Sequence, residues 1–254
     1  MLHADVRGLG TRVVLLHGFT QNSRCWGDFG EFVAQHHETV LVDLPGHGES
    51  RHDEASLQES AALVGEVGGC GTYVGYSLGG RIALHVALQN PELVECMVLI
   101  GATAGLRTPE ERAERVAADD ALAQGIDTNG LDAFLTLWLS QPLFAGLGEQ
   151  AAVFAARRTN RSEAMAESLR SVGTGHQANL WPDLSDILCP TLVVTGANDE
   201  KFTLLGRELR RSIGKRAELV TVNDSGHSVH LEHPNETWAV VHEWLNRVQP
   251  DGNQ

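Results

Sequence analysis

The chain has 254 residues, long enough for one large α/β domain that need not divide. Its formal net charge of −14 argues against nucleic acid or an anionic membrane as partner, since both are bound through surplus Lys and Arg. The content, 42% hydrophobic and 20% charged, is that of an ordinary globular protein, and no apolar run approaches the ~18 residues of a membrane span.

The N-terminus, Met1-Leu2-His3-Ala4-Asp5, has neither the basic stretch nor the apolar core of a signal peptide, which places the protein in the cytoplasm. Short apolar strand candidates follow in order: Val13 to Leu16, Thr39 to Val42, Thr72 to Tyr76, Met97 to Ile100, Leu192 to Thr195 and Leu219 to Val222. Helical stretches separate them, the alternation of a mostly parallel sheet covered on both faces, and their near-continuous Val/Leu content suits strands buried on both sides. From Ala104 to Trp181 the alternation stops. Candidate helices there run near Pro109 to Gln124, Leu131 to Leu139, Glu149 to Arg158 and Ser162 to Val172. The expected organisation is a core of residues 1–104 and 182–254 with a helical lid, 105–181, over the carboxyl edge of the sheet, where ligands bind in open α/β folds. Cys25, Cys70, Cys96 and Cys189 are scattered without C-x-x-C spacing, as expected of reduced, packed thiols. The oligomeric state is left open, a monomer being the simpler expectation.

The most informative stretch is Gly75-Tyr76-Ser77-Leu78-Gly79, a G-x-S-x-G between a strand-like and a helix-like run. That context predicts a nucleophile elbow, a strained turn that lifts a serine hydroxyl above the sheet edge. Such folds order their catalytic groups as serine, acid, histidine. Asp199 follows the strand Leu192 to Thr195, with Glu200 and Asp224 as rival carboxylates, and His227 follows the strand Leu219 to Val222. The acid would orient the imidazole while the imidazole takes the serine proton. His230 and His233 read as a surface or packed histidine and a residue leading into a helix before Pro234. His17-Gly18-Phe19 after the first strand can supply one backbone N–H of an oxyanion hole and Leu78 the second, at a helix N-terminus whose dipole favours an anionic oxygen. His17 itself reads as structural, and Asp43 to Gly48 as a fixed turn. This constellation defines an α/β-hydrolase fold, with no metal and no cofactor called for.

Four runs carry a narrower resemblance: Gly75 to Arg81, Trp138 to Phe144, Gly173 to Gln177 leading to Trp181, and Gly196 to Phe202. Together they resemble the MenH family, the 2-succinyl-6-hydroxy-2,4-cyclohexadiene-1-carboxylate synthases of menaquinone biosynthesis, over nearly the whole chain. The resemblance implies a lyase that removes pyruvate from 2-succinyl-5-enolpyruvyl-6-hydroxy-3-cyclohexene-1-carboxylate. Ser77, activated by His227 and Asp199, would be the base, and the backbone N–H groups of Phe19 and Leu78 would hold the enolate oxygen. It also implies Arg81, Arg115 and Arg158 as carboxylate-binding groups, Trp138 as an aromatic wall and Tyr76 beside the serine. Arg157 is an adjacent rival of Arg158.

Read from the residues alone, Arg81 suits a polyanionic substrate: it lies four positions after Ser77, and helical side chains lean back toward the helix N-terminus. A tricarboxylate entering a protein of charge −14 needs such local cations. Arg115 lies among Glu110, Glu111, Arg112 and Glu114, where solvated i,i+4 pairs explain the pattern nearly as well. The main rival function is a serine hydrolase, such as a carboxylesterase, lactonase or carbon–carbon bond hydrolase, since the triad does not separate these. A ligand-binding protein on a retained hydrolase scaffold is a second.

Overall fold

A computed structural model describes residues 1–52, 54–148 and 151–249. Seven strands form one sheet: β1 (Ala4–Arg7), β2 (Arg12–Leu16), β3 (Glu38–Val42), β4 (Gly71–Tyr76), β5 (Val94–Ile100), β6 (Thr191–Gly196) and β7 (Ala217–Val222). Their order is β1-β3-β2-β4-β5-β6-β7, parallel throughout except that β1 pairs antiparallel with β3. The sheet is therefore mostly parallel, and β2 to β7 stand where the apolar runs predict them. The missing strand is β1, whose sequence Ala-Asp-Val-Arg is half polar. It is an edge strand joined through the register Ala4 to Val42, so only a neighbour, and no local pattern, marks it.

The strand side chains alternate between two covered faces. Val14, Leu16, Val40, Val42, Tyr73 and Leu99 face one core with helices α2 (Leu57–Gly68), α3 (Leu78–Gln89) and α7 (Glu200–Ile213). Val13, Leu15, Leu41, Val74, Val98 and Ile100 face the other, with α1 (Gly27–His36) and α9 (Pro234–Val248). Burial on both sides removes any polar alternation, which is why these strands read as continuous Val/Leu runs. Two helix starts carry capping boxes, Ser56 with Glu59 and Thr108 with Glu111, each serine or threonine accepting from the amide that its partner's residue supplies.

Between β5 and β6 the chain is helical. The two helices expected from Pro109 to Leu139 are both present and meet at Gly130, whose φ 80° and ψ 169° are not helical; together they make up α4 (Pro109–Leu139). After it come α5 (Ala151–Arg157) and α6 (Ser162–Val172); the expected start of α5 at Glu149 lies outside the described residues. Ala123, Ile126, Leu131, Phe134, Met165 and Leu169 make the lid's own small core. Phe144, Leu147, Val153 and Ala156 fasten it to Cys25 and Leu231 of the main body. Cys25, Cys96 and Cys189 are buried free thiols, whereas Cys70, expected to be packed, is exposed. Among the described residues no helix is long and apolar enough to cross a membrane.

Helix α3 approaches β2 closely. The Gly79 N–H donates to the His17 carbonyl at 3.0 Å, and a Cβ on Gly79 would collide with the Leu16 carbonyl oxygen. Both contacts are with backbone, so nothing nearby can swing aside. Gly79→Ala should therefore cost about 1–3 kcal/mol of stability by overpacking. A urea midpoint indistinguishable from wild type would show that the two elements can separate without loss.

Candidate active site

Ser77 joins β4 to α3 with φ 50° and ψ −105°, backbone strain that a serine adopts only when its surroundings impose it. Three contacts impose it here. Its N–H donates to the Ile100 carbonyl at 2.9 Å, its carbonyl accepts the Arg81 N–H at 3.1 Å, and a Cβ on Gly75 would strike the Gly79–Gly80 backbone. The hydroxyl is thereby presented at the carboxyl edge of the sheet, at the mouth of a cavity of about 360 Å³ roofed by the helical insertion.

Asp199 caps α7. Its Oδ1 accepts the Phe202 N–H at 3.1 Å and its Oδ2 accepts from His227 Nδ1 at 2.8 Å, so one carboxylate both starts a helix and orients the imidazole. The loop that carries His227 is held to that of Asp199 by Asn198 N–H to Ser225 carbonyl, 2.8 Å. Gly101 packs against the His227 ring so closely that a Cβ would lie 2.8 Å from its Cε1, and Phe202 covers the ring at 4.3 Å between centroids. Of the rival carboxylates, Glu200 and Asp224 are exposed. Ser77 and His227 line the same cavity, and so do Phe19 and Leu78, whose N–H groups are the expected oxyanion donors.

His17 is fully buried and structural. Its Nε2 accepts the Leu44 N–H at 3.0 Å, which fixes the proton on Nδ1, and Nδ1 donates to the Gly18 carbonyl at 2.9 Å. Burial, reinforced by the neighbouring His47, pushes its pKa down to about 3. His230, packed against Trp26 and Tyr76, is likewise lowered to about 3 by burial, then by Arg157 and His227. His233 precedes α9 as its N-cap. Tyr76 lines the cavity with its ring while its hydroxyl shares a hydrogen bond with Ser228 at 2.7 Å, and burial raises its pKa.

Among the described residues the cavity is lined by four cationic side chains, Arg81, Arg115, Arg157 and Lys201, against a single carboxylate, Asp119. Arg81 is buried; its Nη2 donates to the Val172 carbonyl at 2.8 Å and its Nη1 has no protein partner. Burial, with Arg115 adding to it, lowers its pKa to about 10, which leaves it charged at neutral pH. Trp138 packs edge-on to Phe19 at 5.4 Å and stacks with Phe134 at 5.6 Å, forming a wall of the cavity. Arg115 lines the cavity but is also paired, its Nε donating to Asp119 Oδ1 at 2.8 Å, so the i,i+4 pair and the inward position hold together.

Arg158 is displaced from the expected position. It lies on the surface, 59% exposed, paired with Asp132 at 3.2 Å. Its neighbour Arg157 is 1% exposed, donates to the Phe19 carbonyl and Thr20 hydroxyl, and leaves Nε and Nη2 unpaired. Successive residues on a helix point about 100° apart, so a one-residue ambiguity in a sequence match exchanges inside for outside. Lys201 and Asp119 are lining residues that sequence reasoning passed over. Lys201 sits two positions after Asp199 and Asp119 four after Arg115, spacings that put them beside groups already singled out. Among the described residues no group of three or more His, Cys, Asp or Glu side chains is arranged to hold a metal.

A strained serine between strand and helix, with an aspartate–histidine pair over the same sheet edge, defines an α/β-hydrolase. Residues 13–240 match the alpha/beta hydrolase family, and the chain belongs to it. It is 32% identical to the putative 2-succinyl-6-hydroxy-2,4-cyclohexadiene-1-carboxylate synthase of Bacillus subtilis, over 93% of this chain and 90% of that protein. The protein of that name from Serratia proteamaculans is 32% identical, with 92% of each chain covered. Among solved structures, MenH from S. aureus superposes with a TM-score of 0.92 at 29% identity, covering 98% of this chain and all of that one. A thermophilic esterase from Thermogutta terrifontis superposes at 0.82 with 22% identity, over 97% of this chain and 93% of that one, a likeness of fold.

His17 and His230 help to set an acid limit on stability, beside His37 and His85, whose pKa values burial lowers to about 4. With folded pKa values near 3 against an ordinary 6.5, the native protein keeps His17 and His230 neutral while the unfolded chain takes up protons below about pH 6.5. Their contribution is complete above that pH and is lost as pH falls toward 3. These two rings alone should lower the urea midpoint between pH 6 and pH 5 by the equivalent of roughly 2 kcal/mol. A midpoint unchanged over that interval would show that neither ring stays neutral in the fold.

Proposed function

We propose that the protein is a lyase of menaquinone biosynthesis, eliminating pyruvate from 2-succinyl-5-enolpyruvyl-6-hydroxy-3-cyclohexene-1-carboxylate to give 2-succinyl-6-hydroxy-2,4-cyclohexadiene-1-carboxylate in the cytoplasm. The observation that carries the reading is the unpaired guanidinium nitrogens of Arg81 and Arg157, buried in the cavity that Ser77 and His227 share. Burying a cation without its partners is costly, so these groups await anions that arrive with the ligand. A neutral ester would leave that cost uncompensated. Four cations against one carboxylate among the described lining residues, in a chain of net charge −14, make the site locally opposite to the molecule around it. The relatives covering nine-tenths of the chain bear the synthase name.

In this mechanism His227, oriented by Asp199, takes the Ser77 proton, and the Ser77 oxygen removes the ring proton alpha to the succinyl carbonyl. The electron pair passes first onto the carbonyl oxygen, held by the Phe19 and Leu78 N–H groups at the start of α3. It then returns through the ring: a double bond forms at C2–C3, the C3–C4 double bond moves to C4–C5, and the bond from C5 to the enolpyruvyl oxygen breaks. The departing enolate takes up a proton and becomes pyruvate. No water enters the balance, and no acyl intermediate forms. Arg81, Arg115 and Arg157 bind carboxylates, Trp138 and Tyr76 flank the ring, and Arg158 contributes nothing from the surface.

Ser77→Ala and His227→Ala should each lower pyruvate release by roughly a hundredfold or more, the scale of a lost positioned proton-transfer group. Asp199→Asn should lose activity while still folding; greater damage from Glu200→Gln would assign the acid's role to Glu200 instead.

Arg81→Ala and Arg157→Ala should each cost about 2 kcal/mol or more in kcat/KM for the anionic substrate, the scale of a charge-assisted hydrogen bond. Arg158→Ala should cost little. Hydrolysis of a short nitrophenyl ester, assayed beside pyruvate release, separates the lyase from a serine hydrolase. Equal losses on the neutral ester and the tri-anion, at matched folded fraction, would show that the arginines support the elbow and return the hydrolase to first place.

A further inference from the structure

Asp119 is the one carboxylate among the described residues that line the cavity, and it is fully buried. Its Oδ1 accepts from Arg115 Nε at 2.8 Å, which is all that pairing with Arg115 requires. Its Oδ2 is buried and has no protein donor. The carboxylate lies against the turn after α6, where a Cβ on Gly173 would press on Oδ2, while the preceding carbonyl, that of Val172, accepts from Arg81 Nη2. Arg81 and Asp119 therefore converge on adjacent peptide units, and the negative charge of Asp119 acts directly on the Arg81 guanidinium. Arg81 Nη1, a donor, and Asp119 Oδ2, an acceptor, are both left without protein partners.

A negative charge in a site for a tri-anion repels its own ligand unless a hydrogen from the ligand meets it. Within the proposed reaction the substrate carries one hydroxyl, on C6, next to the carbon that bears the ring carboxylate. We propose that Asp119 Oδ2 and Arg81 Nη1 form a subsite for a vicinal hydroxy-carboxylate, Asp119 accepting the hydrogen bond of the ring hydroxyl while Arg81 binds the carboxylate beside it. The inference rests on the lyase reading and extends it from charge to hydroxyl recognition. The subsite has a chemical consequence as well. A ring hydroxyl leaves as water only if it gains a proton, and a carboxylate paired with Arg115 accepts a hydrogen bond without supplying one, so the hydroxyl stays on the product.

The test compares two ligands in calorimetric titrations: the hydroxylated product, and 2-succinylbenzoate, which presents the same carboxylates on a ring without the hydroxyl. Wild type should bind the product about tenfold or more tightly, the scale of a hydrogen bond to a charged group. Asp119→Ala should abolish that preference. Arg115→Ala should weaken both ligands and retain it, and the double variant should lose it. If the alanine variant does not fold, Asp119→Asn, which keeps the volume, should shrink the preference. A preference that survives at Asp119→Ala, or an Asp119→Ala that weakens both ligands equally, overturns the subsite and leaves Asp119 as a brace for Arg115. Pyruvate release by wild type is measured in parallel. Release without any preference sinks the subsite alone, while a wild type that releases no pyruvate and binds neither ligand sinks the subsite and the lyase together.

Discussion

The site depends on how closely the helix after the elbow approaches strand β2. With Gly79 against the Leu16 carbonyl and hydrogen-bonded to His17, α3 cannot back away, and the turn at Ser77 has no room to relax out of its left-handed conformation. The same contact aligns the first N–H groups of α3 with the loop His17-Gly18-Phe19. A single backbone constraint thus fixes the serine and the proposed oxyanion donors relative to one another. The strain is held by packing on both sides, through Gly75 within the elbow and Ile100 on β5.

Asp199 and His227 come from the other half of the sheet, and there the coupling is a hydrogen bond. Asp199 divides its two oxygens between capping α7 and holding His227. Because one oxygen is committed to the helix start, the other has little freedom to choose a different partner. Gly101 and Phe202 close on the ring from two sides, so its orientation is set by contact as well as by the carboxylate. The sheet edge that carries Ser77, Asp199 and His227, the proposed proton-transfer framework, faces a charged, helical roof. That division lets one scaffold serve hydrolases and lyases alike: chemistry belongs to the sheet edge, and the choice of substrate to the insertion.

The roof is where charge and burial oppose each other. Arg81 and Arg157 are buried with nitrogens unpaired, and Asp119 is buried with an oxygen unpaired. Each carries a desolvation cost that the rest of the fold must offset, through the lid's core of Phe134, Met165 and Leu169 and its anchorage by Phe144 and Leu147. In the proposed reading, a ligand that brings both anions and a hydroxyl would relieve that cost.

What the sequence determined by itself was everything written in a local pattern. Continuous Val/Leu runs marked β2 to β7, the G-x-S-x-G at a strand-to-helix junction marked Ser77, and positions just past late strands marked Asp199 and His227. Each of these signals is confined to a few consecutive residues. The edge strand β1 is different, because its pairing with β3 supplies the stabilisation that its half-polar sequence does not advertise. So is the pair Arg157 and Arg158, two identical residues that only the rotation of α5 against Phe19 and Thr20 separates into a buried and a surface cation. Asp119, which no local pattern singles out, is buried where α4 and the turn after α6 meet. Tertiary structure decided these cases because burial and unpaired polar atoms are properties of what lies across space, and no window along the chain contains them.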